Sequence, residues 1–195
     1  MNVEATLTGS PRVSPRERVL RTATELFYRH GIHSVGIDRI IGESGVAKMT
    51  FYRHFPSKAR LVAEYLAQKE EGWQRLITAA GDSSKTPLER VLSLFDALEV
   101  ATKSRDFSGC PFIKALGEFG PERNEPQVRS IIAAHFAEME KTLASLLRQI
   151  CPKRSKKLLW SLMSLITGTI VVAQVTGETD VAARNKEVAR ALLDC

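Results

Sequence analysis

The stretch "SGVAKMTFYRHFPSK", residues 44–58, combines a glycine turn, several cations and large rings in a very short segment. Phe51 and Phe55 lie four residues apart and share a helical face with Val46, which assigns this face to a core. The remaining faces carry lysine, methionine, threonine, tyrosine, arginine and histidine, and Pro56 ends the helix. The stretch therefore predicts a short helix with one buried face and a rim rich in hydrogen-bond donors.

The residues before this stretch predict a second helix. Ile37, Ile40 and Ile41 lie on one side of it, and Ser44-Gly45 ends it. Two helices joined by a tight turn over about residues 36–55 form a helix-turn-helix. The second helix of such a motif fits the major groove of DNA, where its N-terminal residues reach base edges. The alternative is a three-helix core with a basic surface, but the donors on the short helix favour DNA binding.

The positive charge of the chain is concentrated in its first third. The whole sequence carries a formal net charge of +6. Residues 1–60 contain ten lysines and arginines against five acidic residues, whereas residues 61–195 contain eighteen against seventeen. A local positive excess is typical of a surface that binds an anionic partner such as nucleic acid. A solvated charged surface would give the same count, so the charge supports DNA binding without establishing it.

The three cysteines, Cys110, Cys151 and Cys195, are odd in number and widely spaced. This spacing indicates neither a disulfide framework nor a metal motif, so we expect a reducing, cytoplasmic context. Residues 1–13 contain no apolar run long enough for a secretory signal and are expected to form a disordered lead-in. Because the sequence contains no HxxxH, no clustered carboxylates and no Gly-rich phosphate loop, we expect no metal and no cofactor.

Helix signals recur along the whole chain, and no strand pattern is visible. Ser14-Pro15-Arg16-Glu17 and Thr86-Pro87-Leu88-Glu89 are capping boxes that begin helices. The pattern predicts nine helices with short connections and therefore an all-α fold. The fourth helix, from about Lys58 to Ala80, would be roughly 35 Å long at a rise of about 1.5 Å per residue. We expect a DNA-binding domain at residues 14–60 and a second helical domain at residues 61–195.

The run "GVAKMTFYRHFPSKARLV", residues 45–62, resembles the signature of TetR-family transcriptional regulators. The likeness is close over about residues 14–68, and the number and lengths of the helices extend it through the rest of the chain. It implies a homodimer in which each N-terminal helix-turn-helix contacts half of a palindromic DNA operator. The C-terminal helices would then bind a small-molecule effector and dimerise. The implied function is a repressor that its effector releases from the operator.

The resemblance also implies roles for individual residues. Lys48 and Met49 would approach base edges, and Tyr52 would touch a base or a phosphate. Gly36 and Ala47 depart from the family, because a hydroxyl residue usually caps the second and third helices at these positions. Met49 also departs, since a small residue is common there. Phosphate contacts are implied for four further residues: Thr50, Arg53, His54 and Lys58.

Aromatic residues of the second domain are candidates for lining an effector pocket, although most would serve equally well as ordinary core. Cys110 precedes a helix, whose dipole could lower the pKa of its thiol, but a small buried hydrophobe is the favoured interpretation. A reactive Cys110 would make the protein a redox- or electrophile-sensing regulator or a cysteine-dependent enzyme. No base stands at motif spacing from it, so we expect no enzyme. His135 is either a polar anchor or a core histidine. The candidate pocket residues are Phe95, Cys110, Phe112, Leu116, Phe119, Phe136 and Trp160.

The stretch "LLWSLMSLITGTIVVAQV", residues 158–175, carries no charge and just reaches the length of a membrane span. Serine, threonine and glutamine dilute it, and amphipathic helices flank it. A helix that is apolar on every side is one that is covered on every side. We therefore expect one face in the core and the other against a partner subunit, rather than a membrane. The predicted dimer interface is Leu162, Leu165, Ile166, Thr169 and Val172.

Overall fold

The computed structural model describes residues 13–80, 85–119 and 125–194, so the predicted lead-in lies outside it except for Val13. Within these residues the chain forms nine α-helices and no strand, which confirms the predicted all-α fold. The helices are α1 (Pro15–His30), α2 (Ile37–Ser44), α3 (Lys48–His54), α4 (Lys58–Ala80), α5 (Pro87–Thr102), α6 (Pro111–Glu118), α7 (Pro126–Ile150), α8 (Ser155–Thr176) and α9 (Val181–Leu192).

Side-chain caps fix several helix starts. The Thr86 hydroxyl accepts a hydrogen bond from the backbone N–H of Glu89 at 3.3 Å, and the Glu89 carboxylate accepts one from the Thr86 N–H at 2.7 Å. Ser14 caps α1 by accepting from the N–H of Glu17 at 3.2 Å. Ser57 accepts from the N–H of Arg60 at 3.1 Å in the first turn of α4. These bonds satisfy backbone donors that a helix start leaves without partners.

The chain divides into two compact units, Met1–Leu61 and Val62–Cys195. In the first unit, α2 and α3 both pack on α1. In the second unit, α5 contacts α7, α8 and α9, while α6 lies on α7. The core of the first unit is formed by Val19, Ala23, Leu26, Phe27, Ile32, Val35, Ile40, Val46, Phe51, Phe55 and Leu61. A larger core of α5, α7, α8 and α9 side chains, including Phe95, Leu143, Leu147 and Leu162, holds the second unit together.

Three of the predicted dimer-interface residues belong instead to the core of their own unit. Leu162, Ile166 and Thr169 are buried within the chain. Thr169 donates its hydroxyl to the Leu165 carbonyl at 2.7 Å and accepts from the Asn185 side chain at 2.8 Å. These three side chains stabilise the core of their own chain, and a role for them in a dimer interface stays a prediction, because an all-round apolar sequence does not show which helical face meets the core.

The other face of α8 is apolar and exposed. Trp160 is 64% exposed and Val175 is 80% exposed, and Val171 and Val172 also reach the surface. Among the described helices, only α8 has the length and the apolar composition that crossing a bilayer would require. This is weak evidence for a membrane span, because core helices of soluble proteins meet the same criterion.

The cysteines differ from the sequence-based expectation. Cys110 is a free thiol, whereas Cys151 is buried and disulfide-bonded. The sulfur of Cys151 lies 3.8 Å from the Leu193 carbonyl oxygen, next to the end of α9. The remaining cysteine of the sequence, Cys195, lies outside the described residues. The prediction that the cysteines form no disulfide was therefore wrong for Cys151, so the spacing of the cysteines no longer supports a reducing compartment.

Two glycines of the helix-turn-helix make a matched pair for testing the turn. Gly45 ends α2 with a φ of +62°, and a Cβ there would meet nothing within 4 Å. Gly45→Ala should therefore cost about 1–2 kcal/mol of unfolding free energy from the left-handed backbone alone. Gly42 lies inside α2 with equally open surroundings, so Gly42→Ala should stabilise by about 0.5–1 kcal/mol. Denaturant unfolding of both variants measures the two changes in unfolding free energy. Changes of the same sign would show that the left-handed backbone at Gly45 does not set the cost.

Candidate nucleic-acid interface and polar cluster

Helix α3 presents two chemically different faces. Phe51 and the adjoining Phe55 are fully buried, with ring centroids 6.0 Å apart. Met49, on the opposite face, is 83% exposed. Lys48 and Arg53 are also exposed. An apolar side chain is held at the surface beside two cations, so this face is suited to contact with bases and phosphates.

Neighbouring side chains orient two residues of this face. The Lys48 ammonium lies 3.5 Å from the Asp38 carboxylate of α2 in an exposed ion pair. The Tyr52 ring stands edge-on to Phe51, with centroids 5.3 Å apart and an interplanar angle of 83°. The buried Phe51 ring thus supports Tyr52 at the surface. No local pattern in the sequence links Asp38 to Lys48, because the two residues are ten positions apart.

The other predicted DNA-contacting residues are less exposed. Thr50, His54 and Lys58 are half-buried, and all belong to the first unit. Their phosphate contacts stay predictions. The structure also shows the effect of the two unusual cap positions: neither Gly36 before α2 nor Ala47 before α3 forms a side-chain cap.

A polar cluster lies in the second unit, where α4, α6 and α7 bring together residues distant in sequence. The imidazole Nδ1 of the buried His135 lies 2.6 Å from a carboxylate oxygen of Glu70. The other Glu70 oxygen accepts a hydrogen bond from the Gln74 side chain at 2.7 Å. The Glu70 carboxylate is therefore held by two partners and fixes the orientation of the His135 ring.

Three aromatic rings surround the His135 imidazole. Phe112 of α6 stacks on it, with centroids 3.7 Å apart and planes inclined by 8°. Trp73 and Phe136 approach it edge-on, at centroid distances of 5.8 and 5.3 Å. The indole nitrogen Nε1 of Trp73 is buried without a hydrogen-bond partner. A buried donor without a partner costs free energy, so this atom marks a place where an acceptor would be stabilised.

Burial lowers the pKa of His135 below its ordinary value of 6.5, and the hydrogen bond and charge of Glu70 oppose this shift only in part. The neutral imidazole thus stabilises the folded state above about pH 6.5, and this stabilisation is lost as the pH falls below that value. We expect His135→Gln to flatten the fall in melting temperature between pH 7 and pH 5. An unchanged profile in His135→Gln would contradict this role of burial.

The predicted pocket residues do not all meet in one place. Phe112 and Phe136 contact His135, whereas Phe95 lies in the main core of the second unit and Phe119 is buried. Leu116 is 48% exposed and Trp160 is 64% exposed. These two side chains reach the surface and do not join the rings around His135, so their role in an effector pocket stays a prediction. His135 was a candidate from the sequence, whereas Glu70 and Trp73 were not, because they lie more than sixty residues away in the chain.

The thiol of Cys110 is not activated. Burial raises its pKa above the ordinary 9.0, and this outweighs the hydrogen bonds from the backbone of Ile113 and Phe112, which act in the opposite direction. The thiol therefore stays protonated at neutral pH, whereas a nucleophilic or sensing cysteine needs thiolate. The structure thus favours the interpretation of Cys110 as a packing residue.

Known proteins resemble this chain in both sequence and structure. Residues 19–65 match the family model described as bacterial regulatory proteins, tetR family. SCO4454, a TetR-family transcriptional regulator from Streptomyces coelicolor, has a crystal structure with a TM-score of 0.84 and 32% identity, covering 92% of this chain and 94% of that one. The uncharacterized HTH-type transcriptional regulator YxaF of Bacillus subtilis is 35% identical over 81 residues, which are 41% of this chain and 42% of that protein. The nucleoid occlusion factor SlmA of Shewanella halifaxensis is 29% identical over 148 residues, covering 73% of this chain and 71% of that protein.

The fold and the exposed face of α3 define a helix-turn-helix transcriptional regulator that binds DNA. The chain belongs to the TetR family, as its likeness to SCO4454 over nearly the whole length shows. Regulators of this family bind DNA operators and typically act as dimers. The resemblance inferred from residues 45–62 is thereby confirmed.

Proposed function

We propose that the protein is a homodimeric repressor that occupies a palindromic operator and leaves it when a small-molecule effector binds the second unit. DNA binding in this proposal is supported by the exposed face of α3, where Met49 and its basic neighbours reach the surface on the side opposite the buried Phe51. A two-fold symmetric dimer matches a palindrome, with recognition helices about 34 Å apart or a multiple of that distance. Such a protein acts where the chromosome is, so we place it in the cytoplasm.

The outward face of α8 supports the proposed dimer. It carries Trp160, Val171, Val172 and Val175 at the surface, and a Cβ at Gly168 would meet nothing within 4 Å inside this chain. An exposed apolar face of this kind is typical of a protein–protein contact. Pairing it with its own copy would give the isologous interface of a two-fold dimer. Of the residues predicted from the sequence, Val172 and the half-buried Leu165 remain available for it.

A charge on this face should separate the subunits. Burying the unpaired carboxylate of Val175→Glu in an interface should raise the dimer dissociation constant about a hundredfold or more. The matched control is Val100→Glu on α5, because Val100 is a similarly exposed valine at 74%. Analytical ultracentrifugation should show a monomer for the first variant and the wild-type assembly for the second. A stable Val175→Glu dimer would place the interface elsewhere.

Release of the operator depends on a difference in effector affinity between the DNA-binding form of the protein and the form that does not bind DNA. An effector releases the operator only if it binds the non-DNA-binding form more tightly. A coupling free energy of about 1–3 kcal/mol would lower the DNA affinity by roughly 5- to 150-fold. The second unit offers the His135 cluster for such a ligand. A switch through Cys110 is disfavoured, because its thiol has a raised pKa.

Sequencing the genomic fragments that the purified protein retains tests the proposal. We expect a shared palindromic motif, and binding to it that is independent of a reductant but weakened by an effector. Fragments without a common motif would contradict operator recognition. A palindromic motif beside the protein's own gene or a neighbouring one, with increased transcription when the gene is deleted, would support repression; decreased transcription would indicate an activator.

A further inference from the structure

A carboxylate stands beside the exposed face of α3, where the phosphates of DNA would favour cations. Asp38 lies in the first turn of α2, and its carboxylate is 3.5 Å from the ammonium of Lys48, the first residue of α3. Both side chains are largely exposed, so the pair adds little to the stability of the fold. Within the described residues, each is the other's only charged partner. The pair is therefore accessible to a molecule that approaches α3.

A carboxylate at this place weakens binding to most DNA. It repels the phosphates and partly neutralises Lys48, which would otherwise attract them. An interface tolerates such a charge when a donor on the partner satisfies it, and the charge then discriminates against every partner that lacks this donor. Base edges in the major groove supply donors, whereas phosphate oxygens only accept. The pair is thus better suited to contact with a base pair than to contact with the backbone.

A pair of one donor and one acceptor limits the base pairs that fit. Guanine presents O6 and N7 as acceptors, which suit the Lys48 ammonium, and its partner cytosine presents the N4 amino group, which suits the Asp38 carboxylate. Adenine also offers an amino group, but the N7 acceptor beside it would repel a carboxylate. Thymine offers the ammonium only O4, next to a methyl group. A G·C pair is therefore the best chemical match.

We propose that Asp38 determines operator specificity together with Lys48, and that the two side chains recognise one G·C pair in each half-site. The Asp38 carboxylate accepts a hydrogen bond from cytosine N4, and the Lys48 ammonium donates to guanine O6 and N7. This proposal rests on the proposed function, in which α3 occupies a palindromic operator. It adds a residue of α2 to the recognition surface and names a base pair of the operator.

Selection of duplexes from a random pool by the wild type and by Asp38→Asn tests the proposal. The wild type should select G·C at one symmetric pair of positions. Asparagine pairs with N6 and N7 of adenine, so Asp38→Asn should select adenine in place of that cytosine. Glu43→Gln is the matched control and should select the wild-type motif. Glu43 is another exposed carboxylate of α2, paired with Arg39 at 2.7 Å, so its replacement changes the net charge equally.

Replacing the selected cytosine by N4-methylcytosine tests the hydrogen bond itself. The methyl group takes the place of the groove-facing hydrogen of the amino group, and the pairing with guanine is kept. Because a hydrogen bond to a charged group is lost, fluorescence anisotropy should show at least about tenfold weaker binding of the wild type to the methylated operator. Asp38→Ala should bind the methylated and unmethylated operators with equal affinity, since it has no acceptor at this place.

A wild-type motif without a symmetric G·C pair, or an unchanged motif in Asp38→Asn, would overturn the proposal and leave operator recognition intact. A lower melting temperature of Asp38→Asn with an unchanged motif would show that the carboxylate only stabilises the start of α2. Equal losses on methylation in the wild type and in Asp38→Ala would also overturn the proposal. If a variant does not fold, equal affinity of the wild type for the two operators would still overturn it. A wild type that selects no shared motif would refute operator recognition itself.

Discussion

Replacing Phe51 with alanine should destabilise the first unit by about 3–5 kcal/mol, the usual cost of removing a large buried ring. Phe51 is fully buried and contacts both Phe55 and Tyr52. A unit of this size has only about 0.05–0.15 kcal/mol of stability per residue, so the change is comparable with its whole stability. We expect the backbone amides of α1, α2 and α3 to lose their protection from hydrogen exchange, and DNA binding to disappear with them.

Met49→Ala is the matched control, because Met49 is a large apolar residue of the same helix on the exposed face. Its substitution should change stability by less than about 0.5 kcal/mol. Hydrogen exchange of α1–α3 should then remain like that of the wild type. Wild-type protection in Phe51→Ala, or equal losses in both variants, would contradict the division of α3 into a buried and an exposed side.

Arg53→Ala should reduce DNA affinity about a hundredfold or more, since a dimer loses two charged contacts worth about 1.5–3 kcal/mol each. Arg53 is exposed on α3 and carries one of the phosphate contacts that we predict. Losing two phosphate contacts should also lower the slope of log affinity against log salt by about 2. Fluorescence anisotropy with a labelled duplex at several salt concentrations measures both quantities.

The loss should be similar for every duplex, because phosphate contacts carry no sequence information. Arg129→Ala is the control, since Arg129 is an exposed arginine of α7 in the second unit. It should leave both the affinity and the salt slope unchanged. An unchanged slope in Arg53→Ala would remove Arg53 from the phosphate contacts, and a loss of the same size in Arg129→Ala would indicate an effect of net charge alone.

Helix boundaries were predictable because local chemistry determines them. The caps at Ser14 and Thr86 need only residues three positions apart, and proline and glycine at the ends act within one turn. The two faces of α3 were predictable for the same reason, since Phe51 and Phe55 share a helical face. The contacts of this face with DNA stay predictions.

Features that depend on contacts between distant residues could not be predicted from local patterns. Glu70 and His135 are 65 residues apart, and no local signal links them. The Thr169 hydroxyl can be buried because it bonds to the Leu165 carbonyl and to the Asn185 side chain. Asn185 is sixteen residues away, so a local pattern could not show that this polar residue belongs to the core. The sulfur of Cys151 likewise meets the end of α9 through the fold, 42 residues along the chain.

The central claim is that α3 recognises base sequence, and selection of duplexes from a random pool by the wild type and by Met49→Gln tests it most directly. Methionine offers apolar contact, as to a thymine methyl, whereas glutamine offers paired hydrogen bonds, as to adenine. We expect the wild type to select a palindrome and Met49→Gln to change the preferred base at one symmetric pair of positions. Identical motifs from both proteins, or no shared motif from the wild type, would contradict it.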